Sequence, residues 1–308
     1  MEPPPPADDV DNATFFAEWE RRTKEFLNII QGRELYNFFN NRVLESRSTN
    51  GRLVAVKIKS KYTFKRSEAQ MMHYASENGI LAPRVLGCYN VAPTLVVTVS
   101  DRVPGQSLDQ VWHTMDRATQ EGIKHQLRAE VSGVSSFLYF HSTLYSLTWT
   151  LHKLSKFRKL TQPYIGRIDR QKTHCFFQRL GNESMGPFDS EKEFDKWCLN
   201  RIEDRLLREL WRPCLPAMRS KSTRFVLTHG DLAARNIMVD GGQITGIVDW
   251  EYSGFFPEYM EYAVTMAIHD CIEDWWLPVL QEVLEPCGSM RLKFVDALKT
   301  YQELERRR

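Results

Sequence analysis

Two kinds of hydrophobic pattern divide the chain. The segment 53–58 alternates, so that its two valines and Ile58 face one side of a strand while Ala55 and Lys57 face the other. Similar short runs predict strands at Leu35 to Phe39, Arg42 to Glu45 and Thr94 to Val99. In contrast, apolar residues recur at helical spacing over Asn12 to Ile30, over Ser67 to Asn78, and in the stripe Ile123, Leu127, Val131, Val134 and Leu138. The pattern therefore predicts strands and helices interleaved in the first hundred residues and mainly helices afterwards.

A second pair of short strands, Ile237 to Val239 and Ile244 to Val248, is joined by Asp-Gly-Gly-Gln, and Asp-Gly and Gly-Gly are strong hairpin-turn signals. A turn centred near the second glycine places Asn236 opposite the end of the other strand, so Asn236 and Asp249 become neighbours. Two hard oxygen ligands side by side are suited to Mg²⁺. Asp231 precedes the hairpin in a loop, where a carboxylate can accept the proton of an attacking hydroxyl.

The motifs around this hairpin resemble those of a known family. His229-Gly230-Asp231 through Asn236, followed by Ile247-Val248-Asp249-Trp250-Glu251, is similar to the H-G-D-x-x-x-x-N and I-x-D-W/F-E motifs of the aminoglycoside phosphotransferase and choline kinase group. The resemblance implies an α+β, bilobal protein-kinase-like fold with a small, mainly-β N-terminal lobe and a larger, mainly-α C-terminal lobe. On this basis residues 13–104 are the predicted nucleotide-binding lobe and 105–308 the catalytic and substrate lobe. Residues 1–12, with four consecutive prolines, are a predicted disordered tail.

The same resemblance implies ATP and Mg²⁺ as cofactors and assigns further residues. Asp231 is the expected catalytic base, and Asn236 and Asp249 are the expected Mg²⁺ ligands. The V-A-V-K strand resembles the kinase lysine strand, which makes Lys57 the expected phosphate-binding cation. Glu68 shares a helix face with methionines, where a buried carboxylate needs a partner, and we expect it to anchor Lys57 in an ion pair.

Composition restricts the partners. Among 308 residues, 41 lysines and arginines face 39 aspartates and glutamates, a formal net charge of +2, which does not indicate a nucleic-acid or anionic-membrane surface. Six cysteines without a C-x-x-C pair favour free thiols over disulfides or zinc. With no signal-like or membrane-spanning apolar run and no readable need for a protein partner, we expect a cytoplasmic protein.

The predicted function is that of an ATP-dependent small-molecule kinase that phosphorylates a hydroxyl group. The segment Glu273 to Trp276 is either an aromatic and acidic wall for a cationic substrate or plain core. The alternatives are a catalytically inactive nucleotide-binding or scaffold protein and, less favoured, a protein kinase. The inactive alternative rests on a phosphate loop near Phe38 to Arg42 that lacks glycine, and on a hypothesised insertion at 134–156. Gly230, the D-W-E motif and the missing A-P-E segment oppose a protein kinase.

Overall fold

The computed structural model describes residues 31–38, 41–92, 94–132, 155–177, 183–268 and 273–305. The predicted tail at 1–12, the predicted helix at 12–30 and the hypothesised insertion at 134–156 (up to residue 154) lie outside the described residues, as do two residues of the predicted phosphate loop. By its internal contacts the chain divides into two compact units. The first comprises Met1–Lys65 and Val85–Arg102, and the second comprises Arg66–Arg84 and Val103–Arg308.

The first unit contains an antiparallel five-stranded sheet with the order β1-β2-β3-β5-β4. Its strands are β1 (Arg33–Phe38), β2 (Asn41–Arg47), β3 (Leu53–Ser60), β4 (Val85–Ala92) and β5 (Leu95–Asp101). The alternation in β3 has the predicted consequence: Val54, Val56 and Ile58 are buried and form a core cluster with Leu44 and Val97. Lys57 lies on the opposite face and is half-buried.

The second unit holds the helices. They are α1 (Arg66–Glu77), α2 (Leu108–Val111), α3 (Arg117–Val131), α4 (Lys156–Lys159), α5 (Glu191–Asn200), α6 (Arg205–Trp211), α7 (Leu215–Met218), α8 (Met260–Ala267), α9 (Leu277–Val283) and α10 (Ser289–Glu305). Helix α1 ends at Glu77, one residue before the predicted end at Asn78. Gly79 takes φ +78° there, and the Ile80 N–H donates to the Ala75 carbonyl at 3.1 Å. Met71 and Ala75 of α1 are fully buried in the core of this unit. Ile123 and Leu127 of α3 are buried as the helical stripe predicts.

Short strands connect these helices. They are β6 (Gln106–Ser107), β7 (Thr161–Gln162), β8 (Thr173–His174), β9 (Ser184–Met185), β10 (Phe225–Thr228), β11 (Ile237–Asp240), β12 (Gln243–Ile247) and β13 (Gly254–Phe256). They form the small sheets β13-β10-β7, β12-β11-β6 and β8-β9. The predicted catalytic loop follows strand β10, and the hairpin β11-β12 follows that loop. In the described stretches, none of the helices combines the length and the apolar character that a bilayer crossing requires.

Candidate active site

The hairpin β11-β12 has the predicted register at its open end. Gly241 and Gly242 take φ values of +54° and +76°, as a primed two-residue turn requires, and Asp240 pairs with Gln243 across them. At the other end, the Val248 N–H donates to the Asn236 carbonyl at 2.8 Å. The two chain ends that carry Asn236 and Asp249 are therefore joined by a backbone hydrogen bond.

The loop between β10 and the hairpin folds back on itself through Asn236. Its side-chain amide donates to the Asp231 carbonyl at 2.9 Å and to the Asp231 carboxylate at 3.1 Å. Arg235 also contacts the same carboxylate oxygen, at 3.3 Å. Because the amide nitrogen of Asn236 is used in these bonds, its oxygen is directed away from Asp231. The structure thus brings Asp231 and Asn236 together and fixes the carboxylate from two sides.

His229 links this loop to the end of β12. Its Nε2 donates to the Val248 carbonyl at 3.0 Å, and its Nδ1 accepts from the Asp231 N–H at 3.3 Å. Burial lowers the pKa of His229 and outweighs the nearby charges of Asp231 and Asp249. A neutral imidazole with both nitrogens engaged holds backbone in place, so His229 has a structural role here.

Glu261 of α8 supports the same loop through hydrogen bonds to its backbone. Its carboxylate accepts the backbone N–H of His229 at 2.6 Å and that of Gly230 at 3.0 Å. Burial raises the pKa of Glu261 to about 7, against the effect of these two hydrogen bonds, and the charge of Asp231 adds to the rise. The glutamate sets the position of the turn that presents Asp231.

Glu273 holds the loop from the other side. It accepts the Ala234 N–H at 2.7 Å and pairs with the Arg235 guanidinium at 3.1 Å. Burial alone would lower the pKa of Arg235, but the charges of Asp231 and Glu273 outweigh burial and raise it. Arg235 is therefore a permanent cation that bridges two carboxylates.

A pocket that is open to solvent, with a cavity volume of about 40 Å³, adjoins Asp231. Its lining includes the charged residues Asp231, Arg235 and Glu273, and Trp276 is among its apolar residues. Trp276 is only 1% exposed and its indole N–H bonds to the Leu232 carbonyl at 3.0 Å, so this residue is core as well as wall.

The structure assigns Glu68 a contact that the sequence did not predict. Its carboxylate lies 2.8 Å from Nε2 of His174 in β8, and both side chains are buried. Lys57 lies in the first unit, on β3, and its expected pairing with Glu68 stays a prediction. No sequence pattern could have predicted this contact, because His174 is a single residue more than 100 positions from Glu68.

Arg167 was also missed, and it is fully buried. Its guanidinium donates to the Ser67 hydroxyl at 2.7 Å, to the Ser253 carbonyl at 3.2 Å and to the Glu251 carbonyl. Burial lowers the pKa of Arg167 to about 10, which leaves it charged at neutral pH. It ties the start of α1 to the segment that follows Asp249. The sequence gives no sign of this burial, because an arginine is exposed in most proteins.

The donor set at the hairpin end fits a divalent cation. Asn236 would offer its amide oxygen to a bound cation, and Asp249 would offer a carboxylate on a backbone with φ 65° and ψ 65°. A left-handed aspartate is an uncommon conformation that is found at functional sites. Within the described residues, no group of three histidine, cysteine, aspartate or glutamate side chains is arranged to hold a metal. A Mg²⁺ ion here would therefore take further ligands from phosphate and water, as Mg²⁺ usually does.

Comparison with known proteins identifies the family. Clavilactone A biosynthesis cluster protein Y of Ampulloclitocybe clavipes is 29% identical over 128 residues, a match that spans 38% of this chain and only 31% of that protein's length. The crystal structure of the aminoglycoside phosphotransferase APH(4)-Ia superposes with a TM-score of 0.57 at 16% identity, over 93% of this chain and 91% of that chain. The aminoglycoside phosphotransferase APH(3'')-Id from Streptomyces rimosus gives a TM-score of 0.50 at 14% identity, over 95% and 99% of the two chains. At these identities the structural likeness shows the fold alone, and it confirms the predicted α+β, kinase-like class. A model of the phosphotransferase enzyme family matches residues 5–285, and the chain therefore belongs to this family, as its motifs predict.

Proposed function

We propose that this chain transfers the γ-phosphate of ATP, with Mg²⁺, to a hydroxyl group of a small molecule. The observation that carries the proposal is the setting of Asp231. Its carboxylate is held by Asn236 and Arg235 at the edge of a pocket that is open to solvent, beside a hairpin end that offers oxygen ligands. Family membership and the biosynthesis-cluster name of the A. clavipes relative support a small molecule rather than a protein as the acceptor.

Each residue has one task in this proposal. Asp231 accepts the proton of the acceptor hydroxyl at its carboxylate, and Asn236 and Asp249 hold the metal through their side-chain oxygens. Bound Mg²⁺ supplies charge neutralisation at the phosphate oxygens. Lys57 binds the nucleotide phosphates, and Glu68 keeps Lys57 in position. Because phosphoryl transfer requires little covalent participation by protein, alignment and charge neutralisation provide most of the acceleration.

Turnover of ATP tests the proposal. Purified protein with Mg²⁺-ATP is assayed for ADP release against a panel of hydroxyl compounds, beside Asp231→Asn and the matched control Asp240→Asn, an exposed aspartate at the hairpin turn. Loss of a general base reduces rates about a hundred- to ten-thousand-fold. We expect a loss of this size in Asp231→Asn, none in the control, and no acceptor-dependent ADP release after chelation of the metal.

Two results would contradict the proposal. Equal activity in Asp231→Asn and wild type would remove Asp231 from the chemistry. A rise of the melting temperature with Mg²⁺-ATP, without turnover of any acceptor, would favour the inactive nucleotide-binding alternative.

A further inference from the structure

Among the described residues, those that line the pocket beside Asp231 are mostly apolar. Its described lining includes Leu232, Ile268, Trp276, Leu277 and Leu280, and the hydroxyl of Thr265 is a neutral polar group among them. Ile268 and Leu277 are partly exposed, so their side chains are available to a ligand. Binding of a ligand's hydrocarbon surface to such an apolar wall is favourable, because both surfaces are removed from water. A charged group bound there would lose its hydration without gaining a polar partner.

The charged side chains that line the pocket already form hydrogen bonds and ion pairs within the protein. Glu273 accepts the N–H of Ala234 at 2.7 Å and that of Arg235 at 3.3 Å, and its carboxylate also pairs with the Arg235 guanidinium. The other arm of the same guanidinium contacts Asp231 at 3.3 Å. The two described carboxylates at the mouth thus share one cation, which leaves a formal charge of about −1. A polycationic acceptor would have to compete with Arg235 for both of them.

The aromatic residue in the wall is not arranged as an ammonium site either. Trp276 is almost completely buried, its N–H is bonded to the Leu232 carbonyl, and its ring packs edge-on against Trp112 at a centroid distance of 5.3 Å. A cation–π site needs an open ring face. Glu273 and Trp276 therefore support the loop of Asp231 and the core, respectively.

We infer that the acceptor is an uncharged, mainly apolar alcohol, with its hydroxyl at Asp231 and its carbon frame against Ile268 and Leu277. This inference rests on the proposed function and specifies its substrate class. In the reaction, the acceptor oxygen bonds to the γ-phosphorus and the bond from that phosphorus to the β–γ bridging oxygen breaks. ADP leaves, and the hydroxyl proton passes to the Asp231 carboxylate.

A charge placed in the apolar wall tests the substrate class. Leu277 lies in the first turn of α9, where a carboxylate is compatible with the helix, so Leu277→Asp should fold. Leu207→Asp is the matched control, because Leu207 is also a partly buried leucine in the first turn of a helix, α6, and does not line the pocket. Binding by calorimetry and ADP release with Mg²⁺-ATP are measured for menthol, geraniol and benzyl alcohol, and for the aminoglycoside kanamycin.

We expect binding and turnover of at least one neutral alcohol with a kcat/KM at least tenfold above that of kanamycin. In Leu277→Asp the KM for that alcohol should rise at least tenfold, with the melting shift by Mg²⁺-ATP retained, while Leu207→Asp behaves as wild type. Binding of the alcohols that is weakened in Leu277→Asp, but without ATP turnover, would support the substrate class and overturn the proposed kinase activity. Turnover of kanamycin in preference to every alcohol would overturn the inference and leave the kinase activity intact. Binding of neither class at millimolar concentration would also overturn the inference.

Discussion

The stability of this protein should depend on pH through Glu261. Its carboxylate is removed from water and holds the His229 and Gly230 amides, and burial raises its pKa from the ordinary 4.5 to about 7. A carboxyl group whose pKa is higher in the folded state contributes stability that is complete below the unfolded pKa and is lost as pH rises through the folded pKa. The window therefore runs from about pH 4.5 to about pH 7. The two pKa values correspond to a change of about 3 kcal/mol across it.

Glu261→Gln isolates this contribution, because glutamine has the same shape and does not titrate. We expect the free energy of unfolding of wild type, relative to that of the variant, to fall by about 3 kcal/mol between pH 4.5 and pH 7 and then to stay level. Urea denaturation at fixed ionic strength measures both proteins at each pH. Glu209→Gln, at an exposed glutamate on α6, is the control for replacing a glutamate by a glutamine. A relative stability that is constant over this window, or that rises with pH, would refute the assignment of a raised pKa to Glu261.

Two further changes are predicted from the structure. Gly105→Ala should destabilise the protein by about 2–4 kcal/mol in urea denaturation, because Gly105 has φ +87° and a Cβ there would lie 2.0 Å from the Val239 carbonyl oxygen. Its control, Gly122→Ala within α3, meets nothing within 4 Å and should stabilise by about 0.5–1 kcal/mol; equal effects of the two exchanges would contradict the assigned strain. Arg167→Met should cost about 2–5 kcal/mol, since it leaves the buried Glu251 and Ser253 carbonyls without their donor, and it should speed amide hydrogen exchange in α1. Unchanged exchange in α1 would show that Arg167 does not hold this helix.

The parts of the site that are local in sequence could be predicted. The turn glycines and the period-two runs determine the hairpin register, and the bond from Val248 to Asn236 follows from them. The burial of Glu68 also follows from the helical spacing of its methionine neighbours. Such features depend on residues only a few positions apart, where spacing alone decides which side chains meet.

The supports of the site could not be predicted, because each joins residues distant in sequence. Glu261 and Glu273 reach the loop of Asp231 from 31 to 39 positions away, and His174 reaches Glu68 across 106 positions. From sequence alone, a single polar residue on an apolar helix is as consistent with exposure to solvent as with a buried hydrogen bond. Only the fold brings its partner to it, and the buried state of these groups is therefore a result of tertiary structure.

Helix α1 has a consequence for any attempt to divide the protein. In chain order it stands between β3 and β4, yet its contacts place it in the second unit, where Arg167 and the core hold it. The polypeptide consequently passes between the units after Lys65, after Arg84 and after Arg102. A single cut after Arg102 would leave this helix on the N-terminal fragment, so the C-terminal fragment would lack the core residues Met71 and Ala75. Chimaeras with relatives should therefore exchange residues 66–84 together with the C-terminal part, and split-protein designs should avoid the obvious cut after the fifth strand.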